Sequence, residues 1–163
     1  MDNLGISNVM LDTSFCIRLM DNTDSLHQHA LDYFKYFLNE RISIHLSTIA
    51  VAEYAVGDDP KNLPLDKIRL ETFDFYDAET AGFFHKSVRG NQSNIENFNR
   101  RIITNDIKIL AQIHTKSIGG IISKDIESYK NFIQPLTKAG LINVRFIDLT
   151  IPLSTVLGQL FTP

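Results

Sequence analysis

The chain has 163 residues, 44% of them hydrophobic and 21% charged, which suits one globular domain with a full core and leaves no low-complexity tract. A net charge of −3 argues against a broad nucleic-acid-coating surface but is compatible with a local basic groove beside an acidic pocket. The single cysteine, Cys16, excludes an internal disulfide and a cysteine-based zinc cluster, and no apolar run approaches the roughly 20 residues needed to span a bilayer.

Met1-Asp2-Asn3 lacks the basic start of a signal peptide, so a cytoplasmic protein folded as one domain over 1–163 is expected. Residues 9–11 are apolar without alternation, as in a parallel strand covered on both faces. Asp12 then falls at that strand's carboxyl end, where open α/β sheets place their ligands. Thr13 and Ser14 offer caps for a helix from Phe15. Cys16, in an apolar run, is expected to be a buried thiol. Over 25–40, Leu26, Ala30, Tyr33, Phe34, Phe37 and Leu38 recur at helical spacing. They are more large apolar groups than one face needs, so this helix is expected to contribute to an interface, with core packing as the plain alternative.

A second strand is expected over 42–46, and Ser47 and Thr48 cap a helix over 49–56 that Gly57 ends. Within it, Glu53 has Ile49, Ala50, Val56 and Gly57 three and four positions away. A carboxylate on such a stripe must be paired, protonated or metal-bound. Residues 58–67 read as a surface loop with two prolines. Phe73 and Phe75 alternate with Thr72 and Asp74, which predicts a short edge strand over 71–76. A helix over 78–89 follows, with Ala81, Phe84 and Val88 on one face. After it come a polar, asparagine-rich loop over 90–99 and the pair Arg100 and Arg101.

Thr104-Asn105-Asp106 opens a helix over 107–116 with a buried stripe of Ile107, Leu110, Ala111 and His114. Asp106 is equally readable as a helix cap or first-turn acid. Residues 119–123 form a turn into a strand. Asp125 follows at its end, with the same cap alternative, and Glu127 is two residues on. A helix over 128–139 should kink at Pro135. A last strand over 144–147 and an apolar tail over 152–160 complete an α/β layered domain with a mostly parallel central sheet flanked by helices.

Asp12, Asp106, Asp125 and Glu53 can therefore all reach the carboxyl edge of one parallel sheet. Four carboxylates in one pocket repel each other, which is tolerable where divalent cations sit among them. Oxygen ligands favour Mg²⁺ or Mn²⁺ over zinc. The five histidines supply no competing set, since His27 and His29 point to different faces of a helix.

The pieces Leu11-Asp12-Thr13-Ser14, the run STIAVAE over 47–53, Asn105-Asp106-Ile107-Lys108-Ile109-Leu110-Ala111 and Ile122-Ser123-Lys124-Asp125 occur in this order. In them the chain resembles a PIN-domain protein, similar to the ribonuclease toxins of bacterial type II toxin–antitoxin pairs. The resemblance implies a three-layer PIN-like domain. It implies that Asp12, Glu53, Asp106 and Asp125 are the catalytic acids and hold Mg²⁺ or Mn²⁺ for hydrolysis of RNA. Ser14 matches a supporting polar residue, and Glu127 a further acid of some members. Arg100, Arg101 and Lys124 are candidates for phosphate contact, each with a solvated surface as the plain alternative. The implied partners are an RNA substrate, an antitoxin protein and a second copy in a homodimer, without a membrane. The long loop over 90–99 and the modest positive charge depart from the pattern.

Two other classes compete. A catalytically inactive PIN-fold module binding RNA or protein would be expected to lack one of the acids. A haloacid-dehalogenase-like phosphatase needs a second acid two residues after the first, where this chain has Ser14. Mutual repulsion also carries an expectation about stability: replacing Asp125 by Asn should relieve the metal-free protein.

Overall fold

The computed structural model describes residues 4–90 and 102–158. Among these, strands β1 (Asn8–Leu11), β2 (Ser43–Ser47), β3 (Arg69–Glu71), β4 (Gly120–Ser123) and β5 (Arg145–Asp148) form one sheet in the order β3-β2-β1-β4-β5. All its pairings are parallel, with Met10 opposite His45 on one side and Ile121 on the other. Val9, Met10 and Leu11 and the whole of β4 are buried, the signature of strands covered on both faces.

Helices α1 (Thr13–Met20), α2 (His27–Asn39), α3 (Thr48–Tyr54), α4 (Phe75–Gly90) and α5 (Asn105–Thr115) cross between the strands. In α2, Tyr33, Phe34 and Phe37 are all buried in the core. The aromatic surplus of that helix is thus core packing and not an exposed interface. The thiol of Cys16 is likewise buried, and burial pushes its pKa up to about 12. The loop 58–67 contains two short 3₁₀ turns and drives Leu63 into the core.

Three expectations need correction. The strand expected over 71–76 is β3, which ends at Glu71, and Phe75 already belongs to α4. The reason is a reciprocal cap. Asp77 N donates to Asp74 Oδ1 at 3.0 Å, and Asp74 N donates to Asp77 Oδ2 at 2.9 Å. In α5, His114 is exposed and Gln112 is fully buried. The Gln112 amide is satisfied there, accepting from Ser47 Oγ at 2.5 Å and donating to the Glu71 carbonyl at 3.2 Å. His114 instead sits edge-on to Phe84 at the end of the helix.

The third correction concerns Pro135. The helix begins earlier than expected, as α6 (Ile126–Ser128), and widens into a π turn over Tyr129–Ile133 before α7 (Gln134–Lys138). Gln134 N–H reaches back to the Tyr129 carbonyl, which carries the chain past a proline that cannot donate. The tail folds as α8 (Leu153–Gly158), with Leu153 and Val156 against the core and Tyr33 Oη donating to the Ile151 carbonyl at 3.0 Å. Among the described residues no helix is long and apolar enough to cross a membrane. The loop over 91–99 and the pair Arg100 and Arg101 lie outside the described residues.

Candidate metal centre

From β1 the chain moves outward through β2 to β3, then returns to place β4 and β5 on the other side. The connections therefore diverge between β1 and β4, the place where such sheets open a crevice at their carboxyl edge. Asp12 and Asp125 flank it, one just after each strand.

Asp12 caps α1. Its Oδ2 accepts from Ser14 N at 3.2 Å, from Ser14 Oγ at 2.5 Å and from Ser123 Oγ at 2.8 Å. Thr13 and Ser14, expected as caps, lie inside the helix with their hydroxyls turned to carboxylates. The two serines each carry a second bond: Lys124 N donates to Ser14 Oγ at 3.1 Å, and Asp125 N to Ser123 Oγ at 2.9 Å. These hydroxyls tie the start of α1 to the end of β4.

Asp125 does cap its helix: Oδ1 accepts from Glu127 N and Ser128 N, both at 3.0 Å. Asp106 is a first-turn acid, and Thr104 is the cap of α5, accepting from Ile107 N at 3.4 Å. Glu53 is half-buried in the last turn of α3. Its Oε2 accepts from Thr13 Oγ1 at 2.5 Å and its Oε1 from Asn105 Nδ2 at 2.7 Å.

Asp12, Asp106 and Asp125 line one small pocket, together with Ser123, Ser128 and Phe146. Burial pushes the Asp106 carboxyl up to about 6, and the charges of Asp12, Asp125 and Glu53 push the same way, against a hydrogen bond from Ser128. The other three acids thus all act on the Asp106 carboxyl. Among the described residues, no group of three or more His, Cys, Asp or Glu side chains has the arrangement of a formed metal-ligand set. The donor chemistry nevertheless fits a hard cation. Every candidate ligand atom is an oxygen. Asp12 and Asp125 are each held through one oxygen, and the second of each accepts no hydrogen bond from a described residue.

The remaining candidates are placed differently. Glu127 is exposed and faces Lys130 at 3.9 Å, away from the pocket. Lys124 is exposed beside Asp125. His27 and His29 bond the carbonyls of Arg18 and Leu149, so both have structural partners. Sequence reasoning missed Thr13 and Asn105 as supports of Glu53, and Ser123 and Ser128 as supports of the aspartates. The only signal for them was the hydroxyl or amide next to each acid.

The raised Asp106 carboxyl has a sign for stability. Its folded pKa lies above its unfolded value of 3.8, so folding takes up a proton between pH 4 and 6. Stability from this group falls as pH rises through that window, and the cost is constant above it. Asp106→Asn should therefore stabilise the metal-free protein at pH 8 by about 1–2 kcal/mol, after allowance for partial solvent screening. The gain should vanish below about pH 4, as urea unfolding at both pH values would report. The sequence points to Asp125 for this relief; the structure puts it first at Asp106, because Asp125 is exposed and its charge is used as a cap.

Two solved structures share the fold over most of the chain. VapBC2 from Rickettsia felis, bound to a DNA fragment from its promoter, superposes with a TM-score of 0.61 over 86% of this chain and 98% of its own, at 14% identity. The fold is PIN-like. DNA-bound VapBC from Salmonella typhimurium matches with a TM-score of 0.58 over 87% of this chain and 98% of its own, also at 14% identity. No family model and no curated protein matches the sequence. At these identities the likeness is one of fold.

Proposed function

We propose that the protein is an endoribonuclease dependent on Mg²⁺ or Mn²⁺, acting as the toxin of a toxin–antitoxin pair. One observation carries this reading: Asp12, Asp125 and Glu53, from three different elements of a PIN-like fold, all act on the carboxyl of Asp106 on a fourth, at the switch point of the sheet. Asp12, Glu53, Asp106 and Asp125 are the ligands and catalytic acids in this reading. Bound among them, the cations would lower the pKa of a water and stabilise the charge on the leaving oxygen of a phosphodiester.

The chain's own residues do the positioning. Ser14 and Ser123 fix Asp12, Thr13 and Asn105 fix Glu53, and the backbone of α6 fixes Asp125. Asp106, whose carboxyl is pushed up to about 6, would hold a cation in its deprotonated form. Lys124, exposed beside Asp125, is the cation this reading offers to a phosphate.

The purified protein should cut RNA with Mg²⁺ or Mn²⁺ and stop in EDTA. Cutting that persists in EDTA contradicts the metal mechanism. An inactive RNA- or protein-binding module is the second reading. The presence of all four acids, each oriented by neighbours, favours the enzyme. The same proposal includes a single domain over 1–163, a cytoplasmic setting and an antitoxin whose arginine would suit the acidic pocket. It also includes a homodimer. With Tyr33, Phe34 and Phe37 of α2 buried, the large exposed apolar groups left for it include Phe75, Tyr76 and Phe83 of α4. Light scattering should give a dimer at about 50 µM, above the dissociation constants of most stable dimers; a monomer at that concentration removes this part.

A further inference from the structure

Phe146 of β5 lines the same pocket as Asp12, Asp106 and Asp125. The ring of Tyr129 stacks on it, with centroids 4.6 Å apart and planes 25° apart. The other aromatic pairs among the described residues are tilted or edge-on, between 36° and 83°. Both rings of the stacked pair are half-buried, so part of the stack is open to solvent, and Phe146 carries it to the pocket wall. Tyr129 is also the first residue of the π turn, directly after Ser128, which lines the pocket with Asp106. A π turn shifts side chains out of helical register, and such turns recur at functional positions. The same segment carries Lys124 and Lys130, both exposed.

We infer that Tyr129 and Phe146 form a platform on which an unpaired nucleobase of the RNA stacks while a neighbouring phosphate lies at the acids. This deepens the nuclease reading and rests on it for the position of the phosphate. Flat aromatic surface beside cations is how single strands are held without sequence readout. A net charge of −3 gives little general attraction for phosphate, so stacking must supply much of the affinity. A base inside a duplex offers no free face. The platform therefore takes a base that is unpaired.

The test uses a short single-stranded RNA carrying 2-aminopurine, whose fluorescence is quenched on stacking, with Ca²⁺ replacing Mg²⁺. Wild type and Tyr129→Phe should quench it. Tyr129→Leu, which keeps apolar bulk without a flat face, should bind about tenfold more weakly and not quench. A second measurement needs no variant: an oligonucleotide with an abasic site at that position should bind wild type about tenfold more weakly than the intact strand. Equal quenching by wild type and Tyr129→Leu, or equal binding of abasic and intact strands, overturns the platform. RNA that quenches but is never cut with Mn²⁺ leaves the platform standing and removes the nuclease. RNA that is cut with an unchanged KM in Tyr129→Leu removes the platform alone.

Discussion

Asp12→Asn should lower RNA cleavage by about 10³ while leaving the fold intact. The amide keeps a cap oxygen for Ser14 N and can still accept from Ser123, so α1 and β4 stay joined. What is lost is the negative charge nearest the switch point. A cation at such a site is worth several kcal/mol of transition-state stabilisation, and each 1.36 kcal/mol is about tenfold in rate. Cleavage rates with saturating Mn²⁺, alongside melting curves, separate the two effects. A variant that melts like wild type and cuts at more than about a tenth of its rate removes Asp12 from the catalytic set.

The largest effect on stability is expected far from the pocket, at Asp77. This carboxylate has no solvent exposure. It caps Asp74 N, accepts from the Thr115 hydroxyl and stands 3.3 Å from Lys116 Nζ. It thereby joins the start of α4 to the end of α5, and α5 presents Asp106 at its other end. Asp77→Ala leaves Asp74 N without its acceptor, the Thr115 hydroxyl with only the Gln112 carbonyl at 3.3 Å, and an ammonium short of one partner. Losing these buried hydrogen bonds beside an ammonium that is partly exposed and keeps Asp74 costs about 2–4 kcal/mol. For a chain of this size that is a fall in Tm of roughly 10 °C. Asp77→Asn, which keeps the shape and an acceptor, should cost less. A thermal melt of Asp77→Ala within about 2 °C of wild type would show that other contacts hold α4 to α5.

Asp77 also shows where the sequence was opaque. Phe73 and Phe75 alternate with polar residues as a strand would, but DFYD over 74–77 is a helix-start signal with an aspartate in both capping positions. Side-chain hydrogen bonds override a short apolar period, and the period is what pattern reading weighs first. The buried Gln112 was hidden for a related reason. A polar residue in a core is affordable only with specific partners, and Ser47 and the Glu71 carbonyl are distant in sequence. The π turn before Pro135 leaves no compositional trace beyond the proline itself.

The strands were legible because buried parallel strands are short apolar runs between turn residues, and β1, β2, β4 and β5 all are. The placement of Asp12, Asp106 and Asp125 around one pocket was legible because each sits next to such a run or at a helix start. Their supports were not. Nothing in a serine after an apolar strand says that Ser123 will donate to Asp12, more than a hundred residues earlier, while accepting from Asp125. Such pairings exist only once β1 and β4 lie side by side. The aromatic surplus of α2 misled in the opposite direction: Tyr33 and Phe37 fill core space that composition alone cannot locate.

Calorimetric titration of the metal-free protein with Mn²⁺ at pH 6 and pH 8, in two buffers of different ionisation enthalpy, tests the four-carboxylate centre most directly. With Asp106 near half-protonated at pH 6, saturable binding should release about half a proton there and almost none at pH 8. Asp106→Asn should abolish the release and weaken the binding. No saturable binding at either pH, or binding and proton release that are the same in Asp106→Asn, would mean that the acids at the switch point do not form a cation site.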